Sequence, residues 1–452
     1  MRAPLSFLVA AFSMFFIGAT TNVIAGENLD AMKEHAAKMF KKEVLKVGDN
    51  VYVAVGHAAS VASMIIGDDG VIIIDTTQSI GSAEGVLESF RKITDKPIKA
   101  IIYTHGHRDH ISGTSVFTAE GSNPEIIARS NLINPLDDKN LKKVGPYKIL
   151  QKRTIRQYGI KGLEPHTEKV SMGLGPASIN NKGLGKGFVA PTRTFFDDNM
   201  EITVSGVKFE LYKAPGETND QLFVWMPEEK ILFSGDNFYQ TFPNLYAIRG
   251  TVYRDFSVWA DSLDHMTQFP IEHLVPGHTR PISGPEANQA LADYRDAIRY
   301  IVEKTAEGMN KGLTPDELVS YVTLPKNLTE KYYLNEFLGT VDWSVRAYFA
   351  GTLGWFDGNP THLFPTVPRE KAQRLANMAG GEKVLFENMN KAVSDKEFQW
   401  AMELADMLML LEKYKKEATA VKITALKALA DQQRSAIGRN YYLVYAKELA
   451  AE

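Results

Sequence analysis

The sequence contains no cysteine, so neither a disulfide nor a thiolate metal ligand is open to it. Any bound metal must be held by imidazole and carboxylate groups. There is no excess of basic charge either: 51 Lys and Arg stand against 54 Asp and Glu, a formal charge of −3. Nucleic-acid binding usually needs a clustered basic surface, so no nucleic-acid partner is expected. The longest apolar run, near the N-terminus, is too short to span a bilayer comfortably, and stable membrane insertion is not expected.

What is present is an ordinary globular composition, 44% hydrophobic and 23% charged, in a chain of 452 residues. That length suggests two folded units. The first 25 residues stand apart from both. Met1-Arg2 gives a short positive start, Leu5 to Ile17 an apolar stretch, and Val23-Ile24-Ala25 an ending in the small residues a signal peptidase reads. The pattern predicts a signal peptide over residues 1–25, cut after Ala25, and a periplasmic or secreted protein. An uncleaved N-terminal anchor is the alternative; a lipid anchor is excluded because no cysteine follows. Residues 1–25 carry Arg2 and no acid, so their removal leaves 50 basic against 54 acidic residues.

Residues 26–288 read as an α/β catalytic domain. Val51–Val55, Val61–Ile66 and Val71–Asp75 are β-branched runs, the last two joined by the turn Gly67-Asp68-Asp69-Gly70. Ser82–Ile93 has helical spacing and Ile98–Tyr103 is a further strand. Between Gly121 and Asp198 the pattern predicts a long irregular insertion with one helix, Lys139–Tyr158. Strands are expected at Glu201–Val204, Val207–Lys213, Leu222–Trp225, Ile231–Ser234 and Ile271–Val275, and a helix at Asp255–Gln268. From 289 to 452 the patterns are helical, including Ala287–Glu307 across the boundary, Arg369–Met378, Glu382–Ala392 and an antiparallel pair, Lys396–Lys413 with Lys415–Ser435.

The chemistry starts where the strand Ile98–Tyr103 ends. Thr104-His105-Gly106-His107-Arg108-Asp109-His110 places four potential ligands within six residues. In extended chain, residues two apart share a side, so His105 and His107 can hold one metal together. As the chain turns, Asp109 and His110 can face a second. Two divalent ions about 3.5–4 Å apart are a recurrent hydrolytic device, because they lower the pKa of a bound water. A lone histidine at a strand end is more often structural; four ligating residues in one turn are not explained that way. Asp236 follows the strand Ile231–Ser234 and His278 follows Ile271–Val275, while Glu217 lies in the turn after Val207–Lys213. Each alone is weak, and the repeated placement at strand exits gives them weight.

These segments resemble the metallo-β-lactamase superfamily, whose signature is T-H-x-H-x-D-H with separate Pro-Gly-His, Gly-Asp and Gly-His segments. The resemblance implies an αββα sandwich followed here by an all-α domain. It also implies two zinc ions per subunit, one held by His105, His107 and Glu217, the other by Asp109, His110 and His278, with Asp236 bridging. Asp109 and Asp236 are then the catalytic acids. Glu217 departs from the usual histidine and is similar to the alkylsulfatase branch. Asn244-Leu245-Tyr246-Ala247-Ile248-Arg249-Gly250 resembles that branch's sulfate-contacting segment, which makes Asn244, Arg249 and Tyr246 substrate-binding candidates. Gly187-Phe188-Val189-Ala190-Pro191-Thr192, Gly354-Trp355-Phe356-Asp357-Gly358-Asn359-Pro360 and Arg439-Asn440-Tyr441-Tyr442-Leu443 look like further marks of it. Asp236 stands where the branch often has Glu.

The resemblance implies hydrolysis of alkyl sulfate esters, such as dodecyl sulfate, to alcohol and sulfate. It also implies a small-molecule sulfate ester as partner and a homodimer assembled through the helical domain. A planar guanidinium suits the diffuse charge of a sulfate ester, which fits Arg249. Phe238, Tyr239, Phe242, Tyr246, Tyr253, Phe256 and Trp259 are candidates for an apolar wall, or equally for core. Rival readings are another hydrolase on the same fold (lactonase, thioesterase, β-lactamase or phosphodiesterase) and a non-catalytic metal-binding module.

Overall fold

In the computed structural model the described residues are 20–119, 121, 123–132 and 146–452. The expected signal segment therefore lies outside the described residues up to position 19. Thr20 opens a helix that runs to Met39. Among the described residues, no helix is long and apolar enough to cross a membrane.

Two compact units emerge along the chain. The larger spans Ala31–Val367 and Arg434–Glu452. At its centre lie two sheets. The first runs in order β1 (Glu43–Val47), β2 (Val51–Val55), β3 (Ala62–Ile66), β4 (Val71–Ile74), β5 (Ile98–Ile102), β6 (Glu125–Arg129) and β7 (Arg193–Phe195). β1 to β4 are antiparallel neighbours, and β4 to β7 run parallel. The second has the order β13 (Ile282–Ser283), β12 (His273–Pro276), β11 (Ile231–Gly235), β10 (Leu222–Met226), β9 (Val207–Lys213) and β8 (Asn199–Val204), with only the β11–β12 pair parallel.

Alternation explains why the sheets stack. Along β2 and β9 every second side chain enters one apolar layer, where Val51, Val53 and Ile65 meet Phe209, Leu211 and Val224. Each such buried side chain contributes roughly 1.5–3 kcal/mol. The residues between them face outward and take helices. Met64, Ile73 and Ile101 pack against Val86 and Phe90 of the helix Ile80–Arg91. On the far side, Phe223, Trp225 and Leu232 meet Trp259 and Leu263 of the helix Phe256–Met266. The result is helix, sheet, sheet, helix, the sandwich that the resemblance implies.

Two differences have physical causes. The long segment expected to be irregular from 121 to 198 supplies β6 and β7 at its ends, because Ile126, Ile127 and Ala128 are buried beside β5. Its helix begins at Tyr147; residues 139–145 lie outside the described residues. The expected boundary at 288/289 falls inside the larger unit. Ala287, Leu291, Tyr294 and Ile298 of the helix Glu286–Asn310 enter the same cluster as Phe242 and Trp259, so no break occurs there.

The smaller unit contains the helices Pro368–Met378, Glu382–Ser394, Phe398–Leu411 and Lys415–Gln432. Its core gathers Ala376, Leu385, Met389, Leu404, Leu408 and Ala418.

Candidate metal centre

Every predicted ligand sits just beyond the carboxyl end of a strand. His105 and His107 follow β5, Glu217 follows β9, Asp236 follows β11 and His278 follows β12. Asp109 and His110 belong to a single helical turn, Arg108–Ile111, that starts directly after His107. The ends of β5 in one sheet and of β9, β11 and β12 in the other meet at one rim, so residues far apart in sequence come together.

The structure brings all seven together. His105, His110 and Asp236 form one trio, Asp109, His110 and His278 a second, and His107, Glu217 and Asp236 a third, with ligand atoms in each trio within 4.8 Å of one another. His278 Nε2 lies 3.1 Å from Asp236 Oδ2, and His110 Nε2 lies 3.2 Å from Asp236 Oδ1. His110 Nε2 and His278 Nε2 approach to 3.4 Å. Asp236 touches both halves of the cluster, the position a bridging carboxylate would need.

Backbone shape aims these groups. Gly235 turns at φ +53°, immediately before Asp236. A Cβ on Gly277 would stand 2.1 Å from Asp236 Oδ1, so that position leaves room only for glycine. Asp75 and Thr279 hold φ +57° and +71°, a left-handed region that costs an ordinary residue roughly 1–2 kcal/mol. Both flank the cluster.

Asp75, at the exit of β4, is a residue that sequence reasoning missed. Its Oδ2 is 2.7 Å from His110 Nδ1, and its two oxygens accept from Thr104 N at 2.9 Å and Thr104 Oγ1 at 2.8 Å. His278 Nδ1 is oriented likewise, 2.8 Å from the carbonyl of Ala59. Fixing one ring nitrogen presents the other to a metal. The rule that singled out Asp236, a carboxylate at a strand exit, applies equally to Asp75.

Arg254 was also missed. Its guanidinium, 4% exposed as a residue, pairs with Glu217 Oε1 and with the carbonyl of Asn244. It thus ties a predicted ligand to the segment Asn244–Gly250. An acid where other members of the fold carry histidine needs a compensating cation in a buried setting, and that need was the available signal.

Charge and burial work against each other here. Burial pushes the His110 imidazole down, but Asp236, Asp75 and Asp109 together hold it well above its usual range. Burial raises Asp236, and the surrounding His110, His278 and His105 outweigh that and hold it well below. His107 is pushed well below its usual value by burial, then by His105, Arg254 and Arg249. Burial lifts Glu217 to about 8 against the pull of Arg254, with Asp236 adding to the rise.

The donor set fits divalent metal. Among the described residues, the buried atoms His105 Nε2 and Glu217 Oε2 have no hydrogen-bond partner, and both residues belong to the trios. Orphaned buried acceptors are costly unless something positive meets them. A donor set of imidazole and carboxylate alone, without thiolate, is the chemistry of zinc and its neighbours.

Of the substrate-binding candidates, Asn244 is buried and its side-chain Oδ1 has no partner among the described residues. Arg249 is half-buried, and its charge is felt at His107 and at the phenol of Tyr158. Tyr246 is half-buried on the same loop. The aromatic wall contracts. Phe238, Phe242, Phe256 and Trp259 belong wholly to the core and Tyr239 to a neighbouring cluster, so Tyr246 and Tyr253 alone retain exposed surface.

Fold and site define a metallo-β-lactamase-fold metal hydrolase. Residues 55–278 match the family model described as the metallo-beta-lactamase superfamily, and 314–452 the model for alkyl sulfatase dimerisation. The chain is 38% identical over 394 residues to a linear primary-alkylsulfatase of Pseudomonas sp., covering 85% of this chain and 73% of that protein. It is 28% identical over 417 residues to an alkyl/aryl-sulfatase of Saccharomyces cerevisiae, covering 90% of this chain and 64% of the other. The solved structure of the stereoselective inverting sec-alkylsulfatase Pisa1 from Pseudomonas sp. superposes with a TM-score of 0.81 at 26% identity, over 90% of this chain and 65% of that one. The chain belongs to the alkylsulfatase family, hydrolases acting on sulfuric ester bonds.

Proposed function

We propose that this protein is a secreted or periplasmic binuclear zinc alkylsulfatase that hydrolyses linear primary alkyl sulfates, dodecyl sulfate among them, to alcohol and sulfate. The observation that carries the reading is the joining of the ligand cluster to the Asn244–Gly250 segment by Arg254, which touches both Glu217 and Asn244. His105, His107 and Glu217 would hold one ion, Asp109, His110 and His278 the other, with Asp236 between them. When bound, such a pair supplies an activated water and neutralises developing negative charge.

The remaining work falls to the chain. Arg249 meets the sulfate oxygens through paired guanidinium hydrogen bonds, and Asn244 adds a neutral donor. Tyr246 and Tyr253 offer apolar surface to the alkyl chain. Asp109, 26% exposed at its side chain, is the most open of the buried cluster's acids and faces incoming solvent.

The dimerisation match supports a homodimer. The stretch beyond the helix Val341–Leu353 exposes Trp355 (75%) and Phe364 (93%), apolar surface that a second copy would cover. Light scattering reporting a monomer at micromolar concentration would count against this.

The test of the catalytic reading is a panel. Zinc-loaded protein is assayed against alkyl sulfates, alkyl phosphates, lactones and β-lactams. Sulfate release from alkyl sulfates is expected, and turnover of other classes without it would replace the reading by another hydrolase of the same fold.

A further inference from the structure

Arg249 is read above as the cation that meets the sulfate. Its own side chain does little to fix its place: among the described residues, Nη1 donates only to the next carbonyl, Gly250 O, at 2.9 Å. The fixing comes from outside the loop. The Arg249 N–H donates at 2.7 Å to Oε1 of Gln157, a wholly buried side chain at the end of the helix Tyr147–Tyr158. One turn earlier, Arg153 Nη2 donates to the carbonyl of Ile248 at 2.6 Å. Two consecutive residues of the substrate loop thus hang from one helix.

That helix is held in turn by the C-terminal helix Ala436–Ala450. Asn440, 1% exposed, donates through Nδ2 to the carbonyl of Ser171 at 3.0 Å and, more weakly, to that of Gln157 at 3.5 Å. Arg156 donates through Nε to Glu448 at 3.0 Å and lies over the ring of Tyr445 at 4.5 Å. Among the described residues, Asn440 Oδ1 and Gln157 Nε2 meet no partner, so both amides are buried for the bonds made by one end alone. A buried polar group is costly, and an apolar residue of similar size would pack at either position. The chemistry of these two side chains is therefore explained by what they hold.

We infer that Gln157 and Asn440 are positioning residues for the sulfate ester: through them the C-terminal helix, which lies outside the segment 55–278 and inside the dimerisation match, sets where Arg249 stands. The inference rests on reading Arg249 as the sulfate-binding residue. It gives the C-terminal helix a part in the substrate site of its own subunit, separate from any dimer contact.

The test uses full-length zinc-loaded protein and octanesulfonate, a non-hydrolysable analogue, by calorimetric titration. Gln157→Met keeps the volume and removes the acceptor. Its Kd for octanesulfonate is expected to rise about tenfold, with zinc content unchanged. KM for an alkyl sulfate should rise in step while kcat stays within about twofold. Asn440→Leu and Arg153→Met should move Kd the same way by about threefold each, and they carry the test should Gln157→Met fail to fold. In an Arg249→Ala background, Gln157→Met should add nothing, because the two act as one unit. Weak binding by Arg249→Ala with wild-type binding by all three other variants overturns the inference and leaves the reading of Arg249 standing. Fully additive losses overturn the inference too. Wild-type binding by Arg249→Ala overturns both.

Discussion

Oδ2 of Asp75 lies 2.7 Å from Nδ1 of His110, which turns the other ring nitrogen toward Asp236 and His278. This contact does for His110 what no feature of the T-H-x-H-x-D-H motif can do by itself. Asp75→Asn keeps the size and tolerates the left-handed backbone, but it withdraws the charge that holds the ring. Metal affinity should fall about 10- to 100-fold, read by competition with a chelating dye. An unchanged affinity would show that the contact does not orient the ligand.

Glu217 and Arg254 form a buried ion pair beside the cluster. In metal-free protein above pH 8, where Glu217 is ionised, Arg254→Met leaves the carboxylate without its cation. A loss of about 3–5 kcal/mol in unfolding free energy is expected from denaturant titration. Zinc should recover part of it by meeting the same oxygens. Glu217→His, which restores the commoner ligand of the fold, strands Arg254 beside a cation and should bind less zinc than wild type.

Gly277 sits against Asp236, and the 2.1 Å approach of an added Cβ to Oδ1 leaves no room for one. Gly277→Ala should therefore reduce zinc stoichiometry measured by elemental analysis, with circular dichroism unchanged. Full zinc content in that variant would contradict the placement of Asp236 between two ions.

His35 lies far from the ligands in sequence and couples stability to acid. Burial, then the charges of Lys38 and Arg434, lower its pKa to about 3, and its Nδ1 is 2.9 Å from the hydroxyl of Tyr332. Between pH 6.5 and 3 the unfolded chain binds the proton and the folded one does not, so stability falls as pH falls through that window. At pH 5 the deficit is about 2 kcal/mol, at about 1.4 kcal/mol per unit below 6.5. His35→Gln should flatten the urea-midpoint profile between pH 7 and 5; an unaltered slope would assign the acid sensitivity elsewhere.

Phe242 and Tyr246 were equal candidates for the alkyl wall from sequence, and the structure separates them. Phe242→Ala should cost about 3–5 kcal/mol of stability without changing relative rates on short and long alkyl sulfates. Tyr246→Ala should do the reverse.

The parts legible in the sequence were those with strong local pattern. Strands such as Val207–Lys213 alternate cleanly, and His105 to His110 crowd four ligands into one turn. Partners that meet the motif from a distance were less legible. Asp75 closes an unbroken run, Ile72-Ile73-Ile74-Asp75, and is a carboxylate at a strand exit with no motif around it to mark it. The helix Ala436–Ala450 escaped notice because its buried positions include Gly438, Arg439 and Asn440, which blur the apolar stripe that marks a helix face. Val341–Leu353 was missed similarly, with Ser344 among its buried residues. Core and substrate wall could not be told apart by composition, since an aromatic ring serves either.

The most direct test is a zinc titration of metal-free protein, following sulfate release from dodecyl sulfate at each addition. The account predicts no release without metal and a rise to a plateau at about two equivalents per chain, as a paired-ion site requires. It also predicts loss of that plateau in His110→Ala. Absence of sulfate release at every zinc level, with the protein folded and the metal bound, would contradict it.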